Sequence, residues 1–156
     1  MKKFLILTTA LTGIASVASA ADVTVMSWGG AYTTSQVEAY QKPFTAQTGI
    51  NVISVDADNP APAVKAQVEA GNVTTDVADV EYADAIRLCD EGLLEPIDPA
   101  SLPAAPDGTA AADDFLPGAL TDCAVATIVF STVYAYDTTK FPEGPTTIAD
   151  FFDLEK

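Results

Sequence analysis

Histidine is absent from the 156 residues, cysteine occurs twice, tryptophan once, and 7 basic residues stand against 22 acidic ones. Each shortage closes off a chemistry. Without an imidazole, neither cysteine has the partner that would activate it as a nucleophile. Zinc, bound mostly through His and Cys, lacks a donor set, and no stretch carries the spaced acids of a calcium loop. The deficit of basic charge excludes nucleic acid as a partner. No apolar run reaches the roughly 20 residues that span a bilayer.

The first apolar run that is present has a different meaning. Lys2 and Lys3 precede a stretch from Phe4 to Val17, and the small residues Ala18, Ser19 and Ala20 follow. This is the pattern of an export signal over residues 1–20, cleaved after Ala20. No Cys follows the cut, so no lipid is expected there. In an oxidising compartment Cys89 and Cys123 are expected to form one disulfide, with two buried thiols as the alternative. With Lys2 and Lys3 set aside, 22 acidic residues face 5 basic ones, a formal charge of −17. A field of that sign attracts cationic solutes, and it equally serves to keep an exported protein soluble.

Beyond the signal, strand and helix patterns alternate. Val23 to Trp28 reads as a first strand, Ile50 to Val55 as a second and Asp76 to Glu81 as a third. Between them, Thr34 to Gln47 carries Val37, Tyr40 and Phe44 at helical spacing, with Pro43 as a kink and Gly49 as the stop. Asn59 caps a second helix whose first turn holds Pro60, whose buried stripe holds Val64 and Val68, and which ends at Gly71 and Asn72. A third runs from Tyr82 to about Asp90 and stops at Gly92. Strands separated by helices are expected to be parallel, so the class is α/β with a doubly wound sheet. The proline-rich stretch from Leu94 to Gly118 reads as a surface connector. The run "AVATIVFSTVYAY", residues 124–136, is too long for one average strand and is expected to leave one sheet and join another, bending near Ser131 and Thr132. Thr147 and Asp150 have capping-box spacing ahead of Phe151, Phe152 and Leu154, which predicts a helix with an apolar face still to be covered, as in the front part of a longer protein. Produced alone, such a chain should be poorly stable.

Candidate site residues gather where strands end. In open α/β sheets ligands sit beyond the carboxyl ends of the strands. With strand order 2-1-3, Trp28 and Glu81 share one crevice. Gly29 and Gly30 leave it uncovered, Tyr32 stands at its mouth, and Asp79 has the strand parity of Glu81. Aromatic faces with a carboxylate suit an organic ammonium ion. The same residues also fit a purely structural role in which Trp28 and Tyr32 cap the core. Other chemistries are weaker: Gly29 and Gly30 lack the third glycine of a dinucleotide loop. Paired acids such as Asp113 with Asp114, or Asp79 with Glu81, would serve a secreted hydrolase but are common by chance in so acidic a chain.

Taken together, the export signal, "VTVMSWGGAY", "YQKPFTAQTGI", "TDVADVEYADAIRLCDEGLLEPID" and "ATIVFSTVYAYDTTKFPEGPTTIADFFDLEK" resemble the periplasmic solute-binding proteins of bacterial ABC transporters, in the spermidine/putrescine-binding group. The resemblance implies a two-lobed periplasmic receptor that closes on a polyamine or related organic amine and delivers it to an ABC permease in the inner membrane, with a receptor of the same superfamily for an iron complex, a sugar or an amino-acid derivative as the alternative. The receptor would be monomeric, without enzymatic activity and without a cofactor. Residues 21–130 would form lobe one and 131–156 the crossing into lobe two, with Ser131 and Thr132 at the hinge. Trp28 and Tyr32 stand where the group's aromatics box a polyamine. Glu81 replaces a polar residue that is often Ser, and Phe130 stands in place of a second Trp and reads as packing.

Overall fold

The computed structural model describes residues 22–154, so the expected signal segment and its cleavage point after Ala20 lie outside the described residues. Three parallel strands form the sheet: β1 (Val23–Ser27) in the centre, β2 (Val52–Asp56) on one side and β3 (Val77–Ala78) on the other. The order is 2-1-3, the condition under which Trp28 and Glu81 lie beyond the ends of neighbouring strands. Val23 pairs with Val52 and Val25 with Val77, which brings the carboxyl ends of all three strands to one edge of the layer.

The first helical stretch begins earlier than its apolar spacing predicts and is interrupted where proline demands it. It consists of α1 (Gly30–Gln36), a π-helical segment (Val37–Gln41) and α2 (Lys42–Thr48). Pro43 has no N–H and its ring clashes with the carbonyl four residues back. The wider turn before it, in which the Lys42 N–H reaches back to the Val37 carbonyl, removes that conflict. The next helix, α3 (Pro60–Glu69), is capped by Asn59, whose side chain accepts from the Ala61 N–H at 3.1 Å. Helix α4 (Tyr82–Asp90) has both predicted ends. Each of these two helices closes on a left-handed glycine with paired reverse bonds: Gly71 to Val68 and Asn72 to Gln67, then Gly92 to Cys89 and Leu93 to Leu88.

The apolar centre lies between α3 and α4, where Ala61, Val64 and Leu88 are buried and Val68, Ala78, Val80, Leu93 and Leu94 pack on them. Beyond α4 the chain makes a loop with a 3-10 turn at Pro99–Ser101 and a short α5 (Ala111–Asp114), consistent with a connector. A Cys89–Cys123 disulfide ties its far end back to α4, with 5.8 Å between the Cα atoms.

Two expectations are corrected. The third strand covers two residues rather than six, because the Asp76 carboxylate takes the Thr24 N–H at 2.8 Å and Glu81 already caps α4. The run 124–136 forms no strand: apart from an isolated antiparallel bridge between Leu120 and Val125, it pairs with nothing among the described residues. A strand exists only through its ladder partners, and beyond the Ala126 N–H bond to the Ala119 carbonyl at 2.7 Å none is present for residues 127–136 among the described residues. The capping box at Thr147 and Asp150 does form, on a 3-10 turn over Ile148–Phe152, with Phe151 and Phe152 exposed.

Candidate functional site

A cleft of about 770 Å³ runs along one face of the sheet, from Val23 and Val52 at the amino ends of β1 and β2 to the residues just past the carboxyl ends of the strands. Trp28, Tyr32, Asp79 and Glu81 all line it. The structure therefore brings together four of the six predicted ligand residues. β1 stops at Ser27, so Trp28 is the first residue past the strand and is partly buried. Tyr32 comes from the first turn of α1, and Glu81 is the N-cap of α4.

Gly29 and Gly30 are not among the lining residues. Gly29 is the N-cap of α1, its N–H donating to the Thr33 hydroxyl at 2.8 Å, while a Cβ built there would stand 3.3 Å from the Asp56 side chain. Both glycines have positive φ, 82° and 59°, so they start the helix rather than open the crevice. Ser131 and Thr132 are exposed and outside regular structure.

Asp79 and Glu81 share the cleft but not their circumstances. Asp79 Oδ2 accepts from Gln36 Nε2 at 2.6 Å and lies 3.3 Å from Ser27 Oγ, and Ser27 Oγ donates to Gln36 Oε1 at 2.6 Å. Ser27 and Gln36 are both buried, so this polar network is shielded from competing water. Glu81 makes no side-chain capping bond and stands exposed at a helix N-terminus, where a negative charge is favoured. Burial, and then the neighbouring Asp79 and Tyr40, push the Tyr32 phenol up to about 12, with Thr127 acting in the opposite direction.

Most of the remaining lining is apolar or aromatic, with Val23, Val25, Val52 and Val77 from the sheet, Tyr40 and Phe44 from the long helix and Phe130 from the extended run, and Gln36, Gln41, Thr121 and Thr127 add uncharged polar groups. No Lys or Arg is among them. Three cations sit elsewhere in exposed pairs, Lys42 with Glu38, Lys65 with Glu91 and Arg87 with Asp84. Sequence reasoning missed Ser27, Gln36 and Thr127. Gln36 was legible only with the helix starting at Gly30, which places it one turn after Tyr32 on the same face.

The parallel α/β layer has a periplasmic binding protein-like fold. Residues 39–156 match the family described as bacterial extracellular solute-binding protein, and the chain belongs to that family. It is 40% identical over 142 residues to the gamma-aminobutyric acid-binding protein of Pseudomonas aeruginosa, a match that covers 91% of this chain and 38% of the relative. Among solved structures, the periplasmic binding protein MotA from A. tumefaciens B6 in complex with glucopine superposes with a TM-score of 0.73 at 32% identity, covering 86% of this chain and 39% of that one. AgtB from A. tumefaciens R10, in complex with agropinic acid, gives 0.50 at 37% identity over 54% and 26% of the two chains. The chain thus spans less than half the length of the relatives it matches.

Proposed function

We propose that this chain carries the solute-capturing lobe of a periplasmic receptor that delivers a small organic amine to an ABC permease in the inner membrane. The reading rests on the make-up of the cleft: aromatic rings led by Trp28 and Tyr32, the carboxylates Asp79 and Glu81, and no basic side chain among its lining residues. An ammonium group over an aromatic face gains about 0.5–2 kcal/mol, and a carboxylate adds a charge-assisted hydrogen bond. Glu81, with no competing side-chain cap bond, is the direct cation contact, while Gly29 and Gly30 frame the start of α1 beneath the aromatic wall.

Gamma-aminobutyric acid and the polyamines spermidine and putrescine all present a primary ammonium on a flexible alkyl chain. The amino acid is the first candidate, because the 40% identity to a protein named for it extends over 91% of this chain; the polyamines follow from the order of the sequence segments. In this reading residues 21–130 serve as one lobe, and 131–156 cross towards a second, hinged at Ser131 and Thr132. The receptor is exported after cleavage at Ala20, acts as a monomer and turns nothing over. Asp113 and Asp114, the alternative acid pair, do not line the cleft.

The test is calorimetric titration of gamma-aminobutyric acid, putrescine and spermidine into the complete receptor. At least one amine should bind, and Trp28→Ala and Glu81→Gln should each weaken it by about tenfold or more. Absence of heat with all three amines, or an unchanged affinity in Glu81→Gln, would overturn the assignment.

A further inference from the structure

Gln36 commits both ends of its side-chain amide to other elements. Its Oε1 accepts from Ser27 at the end of β1, and its Nε2 donates to Asp79 just after β3. One buried side chain on α1 therefore joins the helix to both strands at the end where the cleft opens. Tyr32 stands one turn earlier on the same helical face and lines the cleft together with Gln36 and Asp79. A wall ring ordered before the solute arrives spares the complex the entropy of ordering it on binding.

We propose that Gln36 is a positioning residue of the solute site: by clamping α1 to Ser27 and Asp79, it holds the Tyr32 ring in the wall of the cleft before any solute binds. The clamp rests on the hydrogen-bond geometry, and only the choice of solute probes rests on the amine-receptor reading. Asp79, in consequence, acts through Tyr32 and leaves the cation to Glu81.

The test reads Tyr32 directly. Gln36→Met keeps the side chain's length and removes both bonds. In the complete receptor labelled with ¹³C at the tyrosine ring, Tyr32→Phe identifies the Tyr32 signal. At a pH of about 10.5 an ordinary tyrosine is mostly ionised, whereas Tyr32 should remain neutral. Its titratable neighbours are Asp79 and Tyr40.

In Gln36→Met, a released Tyr32 ring should lose part of the burial that is the main cause of its raised phenol, and so ionise at that pH. Affinity for whichever of gamma-aminobutyric acid and putrescine binds should fall about tenfold, with the preference between them retained. A folded Gln36→Met protein in which Tyr32 stays neutral overturns the clamp, whatever its affinity. If that variant does not fold, Ser27→Ala, which releases only the Oε1 end, is read by the same criterion. A receptor that binds neither amine removes the proposed solute class, while the Tyr32 signal still decides the clamp.

Discussion

Gly29 and Gly30 have the same covalent structure and unequal surroundings. Both hold positive φ, but a Cβ at Gly29 meets Asp56 at 3.3 Å, while one at Gly30 meets nothing within 4 Å. Gly30→Ala should therefore cost about 1 kcal/mol of backbone strain, and Gly29→Ala about 2 kcal/mol or more, since a contact must also give way. Urea unfolding midpoints of the two variants check the order. Tyr32 supplies a pH signature at the same scale. Its phenol is raised from 10 to about 12 in the fold, so the folded state keeps a proton that the unfolded chain releases. That contribution is intact below pH 10 and is lost as pH climbs from 10 towards 12. Stability measured across that window should fall less steeply in Tyr32→Phe than in the parent. Residue identity announced Trp28, Tyr32 and Glu81, because rings and acids at strand ends are visible in a string of letters. It did not announce Gln36, whose role depends on which helical turn it occupies.

Elements with a local signal were read with their ends in place. Asn59 ahead of Pro60, and Gly71 and Gly92 behind their helices, are short-range devices that work wherever the chain goes. Asn59→Ala should cost about 1 kcal/mol through loss of the 3.1 Å bond to the Ala61 N–H. Leu88→Ala, at a position with no exposure, should cost about 2–5 kcal/mol through loss of buried contacts and the cavity left behind. Denaturant unfolding that ranks Asn59→Ala above Leu88→Ala would place the centre of the fold elsewhere. Elements whose existence depends on a distant partner were read less well. The third strand shrank to Val77–Ala78 because the Asp76 side chain intercepts a ladder donor, and among the described residues the run 124–136 found only the single bridge of Val125 to Leu120. β-branched residues favour an extended backbone, but a sheet needs hydrogen bonds from elsewhere in the chain.

For the whole molecule, the buried apolar set is modest, and a covalent tie supplements it. Closing 34 residues between Cys89 and Cys123 stabilises the fold by about 4 kcal/mol in the chain-entropy account. Reduction should lower the thermal midpoint markedly, and a variant with both cysteines replaced by serine should melt at the reduced protein's temperature. Val129, Phe130, Val133, Phe152 and Leu154 lie open to solvent. A protein of residues 22–156 should accordingly bind a hydrophobic dye such as ANS, and a variant with Phe152 and Leu154 replaced by serine should bind less. Composition, charge, the parallel direction of the strands, the helix caps and the one possible cysteine pair were all present in the sequence, since each follows from counting residues or from local patterning. The tertiary structure alone decided that the two glycines start a helix instead of opening a crevice, that the third strand is short, and that Asp79 is engaged by Gln36 and Ser27 while Glu81 remains available. Those outcomes depend on which side chains meet across elements dozens of residues apart, and that meeting is settled only when the sheet and its helices pack.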